Sequence, residues 1–147
     1  MPENCSTEDK FMTDSGYAGE NKKSGGLTPA AEDYLEMIYR LSGRGNGEDK
    51  PVRICTLSGE LNVSPSSASR MAGQMSLWGY VDYRRYGYIT LTDKGAVMGE
   101  YLIRRHDIVR KFLTKLTGRE DTLTETERIE HYLSRETVEA MEKSLEN

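Results

Sequence analysis

Residues 52–77 read VRICTLSGELNVSPSSASRMAGQMSL, and the fold turns on them. A short helix is expected from Val52 to near Leu61, followed by a tight turn at Asn62-Val63-Ser64. A second helix opens there, with Ser64 as N-cap and Pro65 in the first helical position, where a missing N–H costs nothing. At about 100° per residue, Ala68, Met71, Ala72 and Met75 fall on one face, and Ser66, Ser67, Arg70, Gly73 and Gln74 fall opposite. Two helices joined by a short turn, the second with a small, polar, hydrogen-bonding outer face, read as a helix-turn-helix.

Downstream, Val81-Asp82-Tyr83-Arg84 and Tyr88-Ile89-Thr90-Leu91 are β-rich runs around Arg85-Tyr86-Gly87, a small hairpin with arginines near its tip. A helix-turn-helix followed by such a hairpin is a winged helix. A long helix is expected from about Thr92 to Thr117, closed by Gly118 at C′, with two more over 124–133 and 134–145. Upstream, Thr28-Pro29 opens a helix in which Tyr34, Leu35, Ile38, Tyr39 and Leu41 recur at helical spacing until Ser42-Gly43. Residues 43–51 (GRGNGEDKP) form a loop. Residues 1–27 carry few large apolar side chains, too few to offset their ordering entropy, and read as a disordered tail. The fold class expected is mainly α with a small β-hairpin wing. The organisation is a tail over 1–27, a winged helix-turn-helix DNA-binding domain over 28–93 and a helical domain over 94–147.

A chain of 147 residues is one domain or two small modules, which excludes large catalytic folds. Its net charge of −4, taken as one number, argues against a nucleic-acid partner, because phosphate binding needs a positive field. Counted by segment the objection weakens. Residues 1–27 and 28–50 each carry −2 and residues 112–147 carry −4, whereas nine basic against five acidic residues give 51–111 a charge of +4. The positive excess coincides with the winged helix and the helix after it. Arg70, Arg84 and Arg85 lie where a recognition helix and a wing meet phosphates and base edges. Cys5 and Cys55 show no metal-ligand or redox spacing and read as reduced thiols of a cytosolic protein. There is no long apolar run and no hydrophobic N-terminal segment, so a cytoplasmic protein without a membrane partner is expected.

The two histidines both sit in helices beside carboxylates. Glu127-x-x-Glu130-His131 places three potential ligands at i, i+3 and i+4, on one face if the helix is continuous. Asp33-x-x-Glu36 repeats the i, i+3 carboxylate pair in the first helix, and His106 is in line with Leu102, Val109 and Leu113, hence inward. Each feature also has an ordinary structural reading. Thr124-x-x-Glu127 fits a capping box, Asp33 and Glu36 suit a helix N-terminus, and a histidine on an apolar stripe is commonly a core residue. Taken together, four carboxylates and two imidazoles without a thiolate suit Mn²⁺ or Fe²⁺ better than Zn²⁺ or Cu⁺.

Several blocks together resemble the diphtheria toxin repressor family of metal-dependent transcriptional regulators. They are Glu32-Asp33-Tyr34-Leu35-Glu36-Met37-Ile38-Tyr39, Val63 to Met71, Leu91-Thr92-Asp93-Lys94-Gly95, Arg105-His106-Asp107-Ile108-Val109 and Glu127 to Ser134. The resemblance spans Thr28 to Leu145 and is to the manganese transport regulator branch. Iron-responsive relatives have methionine at the place of Asp33 and cysteine at that of Glu127, and oxygen donors at both favour a harder ion. The resemblance implies that 94–147 is a dimerisation and metal-binding domain. The implied ligands are Asp33, Glu36, His106, Glu127, Glu130 and His131, holding two Mn²⁺ per chain in a binuclear site, with Fe²⁺ as the alternative ion. It further implies a homodimeric repressor of metal-uptake genes on a palindromic double-stranded operator, with no catalysis and no small-molecule substrate. The DNA-facing residues expected are Ser66, Ser67, Arg70 and Gln74 on the recognition helix and Arg84 and Arg85 on the wing. The spacing of Leu133, Val138, Met141 and Leu145 makes the last helix either a candidate dimer surface or a face covered within the chain. Two other classes compete: a metal-independent winged-helix regulator answering to an organic ligand or partner protein, and a metallohydrolase, which would need a base or nucleophile beyond the six ligands.

Overall fold

A computed structural model describes residues 27–84 and 87–147. The expected tail therefore lies outside the described residues, except for Leu27, as do Arg85 and Tyr86. The chain divides into two compact units, the first up to Ala96 and the second from Val97.

Unit 1 begins with α1 (Pro29–Ser42), which starts where the sequence places it. The Thr28 hydroxyl accepts the Ala31 N–H at 3.2 Å, Pro29 takes the first turn, and Gly43 closes the helix in the left-handed region at φ 72°. Ala31, Leu35 and Ile38 are fully buried, and burial pushes the Tyr34 hydroxyl pKa above its ordinary value. The loop after α1 contains one 3₁₀ turn (Arg44–Asn46). Next come α2 (Ile54–Leu61) and α3 (Pro65–Leu77), joined through Asn62 in the left-handed conformation, φ 54°. Asparagine tolerates that region better than other side-chain-bearing residues do, which makes the turn between the two helices cheap.

The wing is β1 (Val81–Tyr83) paired antiparallel with β2 (Ile89–Leu91), Asp82 opposite Thr90. Val52, expected at the start of a helix, instead bridges Ile89, with N···O distances of 2.8 and 2.7 Å in the two directions. Val52 and Ile89 are both core residues, so the pairing hides two apolar side chains and satisfies four backbone groups at once. Helix α2 therefore starts two residues later than its apolar pattern suggests. Cys55 lies on α2, and the reading of the two cysteines as reduced thiols turns also on Cys5. Cys5 lies outside the described residues.

The long helix α4 (Asp93–Thr117) carries the chain from unit 1 into unit 2. The Thr92 hydroxyl caps it by accepting the Gly95 N–H at 3.1 Å. In unit 2, α5 (Leu123–Ile129), a 3₁₀ turn (Glu130–Tyr132) and α6 (Arg135–Leu145) follow. Two sequence expectations change here. The first helix after α4 does not run to 133, because Leu133 is extended (φ −82°, ψ 134°) so that Ser134 can cap α6 by accepting the Thr137 N–H at 3.1 Å. Nor does Thr124 cap α5: it lies inside the helix, whose preceding residue is Thr122, fully buried and within 3.0 Å of the Thr114 hydroxyl. Arg104 on α4 grips both carboxylate oxygens of Glu142 on α6, at 2.6 and 2.7 Å, and that bond raises its pKa. Among the described residues no helix is long and apolar enough to cross a membrane.

Candidate nucleic-acid interface and metal centre

In unit 1, α3 buries Ala68, Ala72 and Met75 completely and leaves Met71 half-buried, against the expectation of four inward residues. Ser66, Ser67, Arg70 and Gln74 are all exposed. The Ser64 hydroxyl accepts the Ser67 N–H at 3.1 Å and donates to the Ser67 hydroxyl at 2.9 Å, so the first turn of α3 is fixed by its own side chains. A contact absent from the sequence reading ties this helix to the wing: the Ser69 and Tyr83 hydroxyls lie 2.7 Å apart. At the wing, Arg84 is exposed, and Arg53 donates to the Tyr88 hydroxyl at 3.1 Å while lying 5.3 Å from its ring centroid. The link between α3 and β1 is anchored to α4 as well. Lys94 donates to the Trp78 carbonyl at 2.8 Å, and a Cβ on Gly95 would collide with the Tyr80 carbonyl oxygen. The carboxylates of α1 belong to this unit. Asp33 is exposed, and Glu36 accepts from Arg40 one turn on at 2.8 Å.

In unit 2 three of the six candidate ligands come together. The Glu130 carboxylate, 2% exposed, accepts from His106 Nδ1 at 2.8 Å through Oε2, and its Oε1 lies 4.0 Å from His131 Nε2. His106 points inward from α4 as its stripe implies, beside Leu102 and Val109, which are buried. Glu127 does not join them: it stands exposed on α5. The expected single face of Glu127, Glu130 and His131 is broken because the chain changes from α to 3₁₀ winding between Ile129 and Glu130. The sequence reading also missed a residue. Arg105, 4% exposed, brings its Nη2 to 3.4 Å from His131 Nδ1. Three residues after Leu102 and four before Val109, it occupies a core-facing position of α4, and a charge on an apolar stripe was the available signal.

A buried carboxylate shared between two imidazoles fits a divalent ion of the Mn²⁺ or Fe²⁺ kind, which takes oxygen and nitrogen donors without needing sulfur. A winged helix with a polar recognition face, followed by a helical unit with that donor set, defines the class of DNA-binding regulators controlled by metal. Residues 26–89 match the family model for the iron dependent repressor N-terminal DNA binding domain, and 92–147 match that for the iron dependent repressor metal binding and dimerisation domain. The chain belongs to the iron dependent repressor family of metal-dependent, DNA-binding transcriptional regulators. It is 36% identical over 109 residues to the HTH-type transcriptional regulator MntR of Oceanobacillus iheyensis, a match covering 73% of this chain and 71% of that one. Among solved structures it resembles the manganese regulator SloR (TM-score 0.65, 30% identity, 82% of this chain and 55% of that one). It also resembles a manganese-dependent transcriptional repressor in complex with manganese (TM-score 0.67, 29% identity, 78% of this chain and 52% of that one). The chain thus spans about half the length of these two solved relatives.

Proposed function

We propose that the chain is a cytoplasmic, homodimeric, Mn²⁺-activated repressor of metal-uptake genes that binds a palindromic double-stranded operator, with Fe²⁺ as the alternative ion. The observation that carries this reading is the buried Glu130 carboxylate bonded to His106 at 2.8 Å inside the unit that matches a metal binding and dimerisation domain. Residues 28–93 would be the DNA-binding domain and 94–147 the dimerisation and metal-binding domain. Asp33, Glu36, His106, Glu127, Glu130 and His131 would hold two Mn²⁺ per chain, whose charge would offset four carboxylates that otherwise repel one another. To take part, Glu36 would exchange the Arg40 guanidinium it now accepts from. Ser66, Ser67, Arg70 and Gln74 would meet base edges and phosphates in the major groove, with Arg84 and Arg85 on the flanking backbone. A dimer would set two recognition helices about 34 Å apart or a multiple of it, hence a palindromic site. The output is DNA occupancy rather than catalysis.

The test is a mobility-shift titration at fixed salt, on DNA enriched from a random library, with and without Mn²⁺, Fe²⁺ and Zn²⁺. Retardation that needs Mn²⁺ or Fe²⁺ is the expected result. Equal binding without metal, combined with no Mn²⁺ uptake by calorimetry, overturns the reading in favour of a metal-independent regulator.

A further inference from the structure

We propose that the hydrogen bond between the Tyr83 and Ser69 hydroxyls sets the position of the wing against the recognition helix, which makes Tyr83 a positioning residue for DNA binding. Neither side chain has to touch DNA, because the bond acts through the wing residue that follows it. The proposal rests on the reading of α3 and the wing as two parts of one DNA-binding surface.

The register of the wing leads to this bond. Tyr83 is the last residue of β1, opposite Ile89 of β2. At the base of the hairpin the tie to α3 runs through the backbone, where the Tyr80 N–H donates to the Met75 carbonyl at 3.0 Å. β2 is tied elsewhere. Ile89 bridges Val52, and the antiparallel register then sets Tyr88 beside Arg53, which donates to the Tyr88 hydroxyl at 3.1 Å. Val52 and Arg53 both precede α2, so this side of the wing follows α2 rather than α3. At the far end of β1 the hydrogen bond to α3 is made by side chains, the part-buried Tyr83 and Ser69 hydroxyls 2.7 Å apart. Arg84 comes next, exposed, with its carbonyl accepting the Gly87 N–H at 2.7 Å. A shift of Tyr83 is therefore passed directly to Arg84.

Ser69 stands where such a tie has the most leverage. On the helical wheel it is about 60° from exposed Ser66 and about 60° from buried Ala72, on the border between the polar face of α3 and its packed face. A two-stranded hairpin is marginal by itself, so its placement depends on what holds it. Helix and wing meet one duplex at two places. If the wing pivots, it has to be ordered anew at each binding event, and affinity is lost.

The test uses mobility-shift titrations of the full chain at saturating Mn²⁺, on a duplex that the wild type selects from a random library. Tyr83→Phe, which keeps the ring, and Ser69→Ala are each expected to bind about five- to tenfold more weakly, the worth of one hydrogen bond, and the double variant no more weakly than either single. Ser69→Thr keeps the hydroxyl and should stay near the wild type. Two readouts separate positioning from a loss of stability. The slope of log K against log salt should become shallower by about one for each phosphate contact the wing gives up. Arg84→Ala should also cost less in Tyr83→Phe than in the wild type, because a misplaced wing has already lost that contact. Wild-type affinity in Tyr83→Phe overturns the proposal, as does weaker binding with an unchanged salt slope and an undiminished Arg84 effect, which would mark a structural role alone. Failure of the underlying reading looks different: Arg70→Ala and Arg84→Ala would then both bind as the wild type does, and the proposal would fall with it.

Discussion

The recognition helix of unit 1 and the donor cluster of unit 2 place their polar side chains in opposite ways. In unit 1 the recognition helix α3 buries two alanines and a methionine and turns Ser66, Ser67, Arg70 and Gln74 to solvent. In unit 2 four polar residues are inside: Arg105, Thr122, Thr126 and Glu130 are all buried. Reading DNA is a surface task, in which the partner brings the complementary charge, so the side chains stay hydrated until it arrives. Holding a metal is an interior task, in which donors must be fixed and dry beforehand and every polar atom needs a neighbour. That requirement explains why unit 2 presents a buried network, Arg105 to His131 and Glu130 to His106, whereas the polar face of α3 stays exposed.

The strongest way to break this contrast is Glu130→Gln. The amide oxygen preserves the shape and the bond from His106 Nδ1 but removes the buried charge. Mn²⁺ affinity measured by calorimetry should fall about 100-fold, close to 2.7 kcal/mol, with DNA binding losing its metal response. Wild-type affinity in that variant would mean that the interior of unit 2 is not a metal site. Next in size is Gly95→Ala. Its Cβ would collide with the Tyr80 carbonyl oxygen, which cannot retreat easily because it accepts the Thr92 N–H at 3.2 Å while Tyr80 N donates to Met75. Urea unfolding should show a loss of about 2–3 kcal/mol. Gly118→Ala in unit 2 meets nothing within 4 Å and bears only its positive φ of 71°, so about 1 kcal/mol is expected. Similar losses at both glycines would show that the wing junction is looser than its packing implies.

What was legible in the sequence follows the same division. In unit 1 the helix starts at Pro29 and Pro65, the turn at Asn62, the polar face of α3 and the hairpin all depend on residues within a turn of one another. The pairing of Val52 with Ile89 was not legible, because a strand contact between residues 37 apart leaves no periodic trace. In unit 2 the ligand types were legible but their geometry was not. A continuous helix through Glu127, Glu130 and His131 is the simplest reading of the spacing. It fails because Ser134 caps α6 and needs Leu133 extended just before it, leaving only a 3₁₀ turn for Glu130 to Tyr132. Arg105 was visible as a charge on an apolar stripe, yet what it touches depends on where that 3₁₀ turn places His131.

The surface reading of unit 1 is sharpened by Arg70→Ala. Arg70 is exposed and makes no core contact, so the melting transition should move little, within about 0.5 kcal/mol. Operator affinity in a mobility-shift titration should fall by about 1–3 kcal/mol if the guanidinium reads a guanine. Unchanged affinity would remove it from the interface.

The smallest effect separates the units most cleanly, because the same chemistry occurs once in each. Ser64 caps α3 and Ser134 caps α6, each hydroxyl accepting a backbone N–H three residues on at 3.1 Å. Replacing either by alanine should cost about 1 kcal/mol of stability, and the two losses should match in urea unfolding. Their functional consequences should not match. Ser64→Ala loosens the turn that presents Ser66 and Ser67, so DNA binding at saturating Mn²⁺ weakens while Mn²⁺ affinity holds. Ser134→Ala relaxes the extended link after the 3₁₀ turn that positions Glu130 and His131, so Mn²⁺ affinity falls while DNA binding at saturating metal holds. If both caps changed both readouts equally, the division of labour between an exposed reading face and a buried donor set would be wrong.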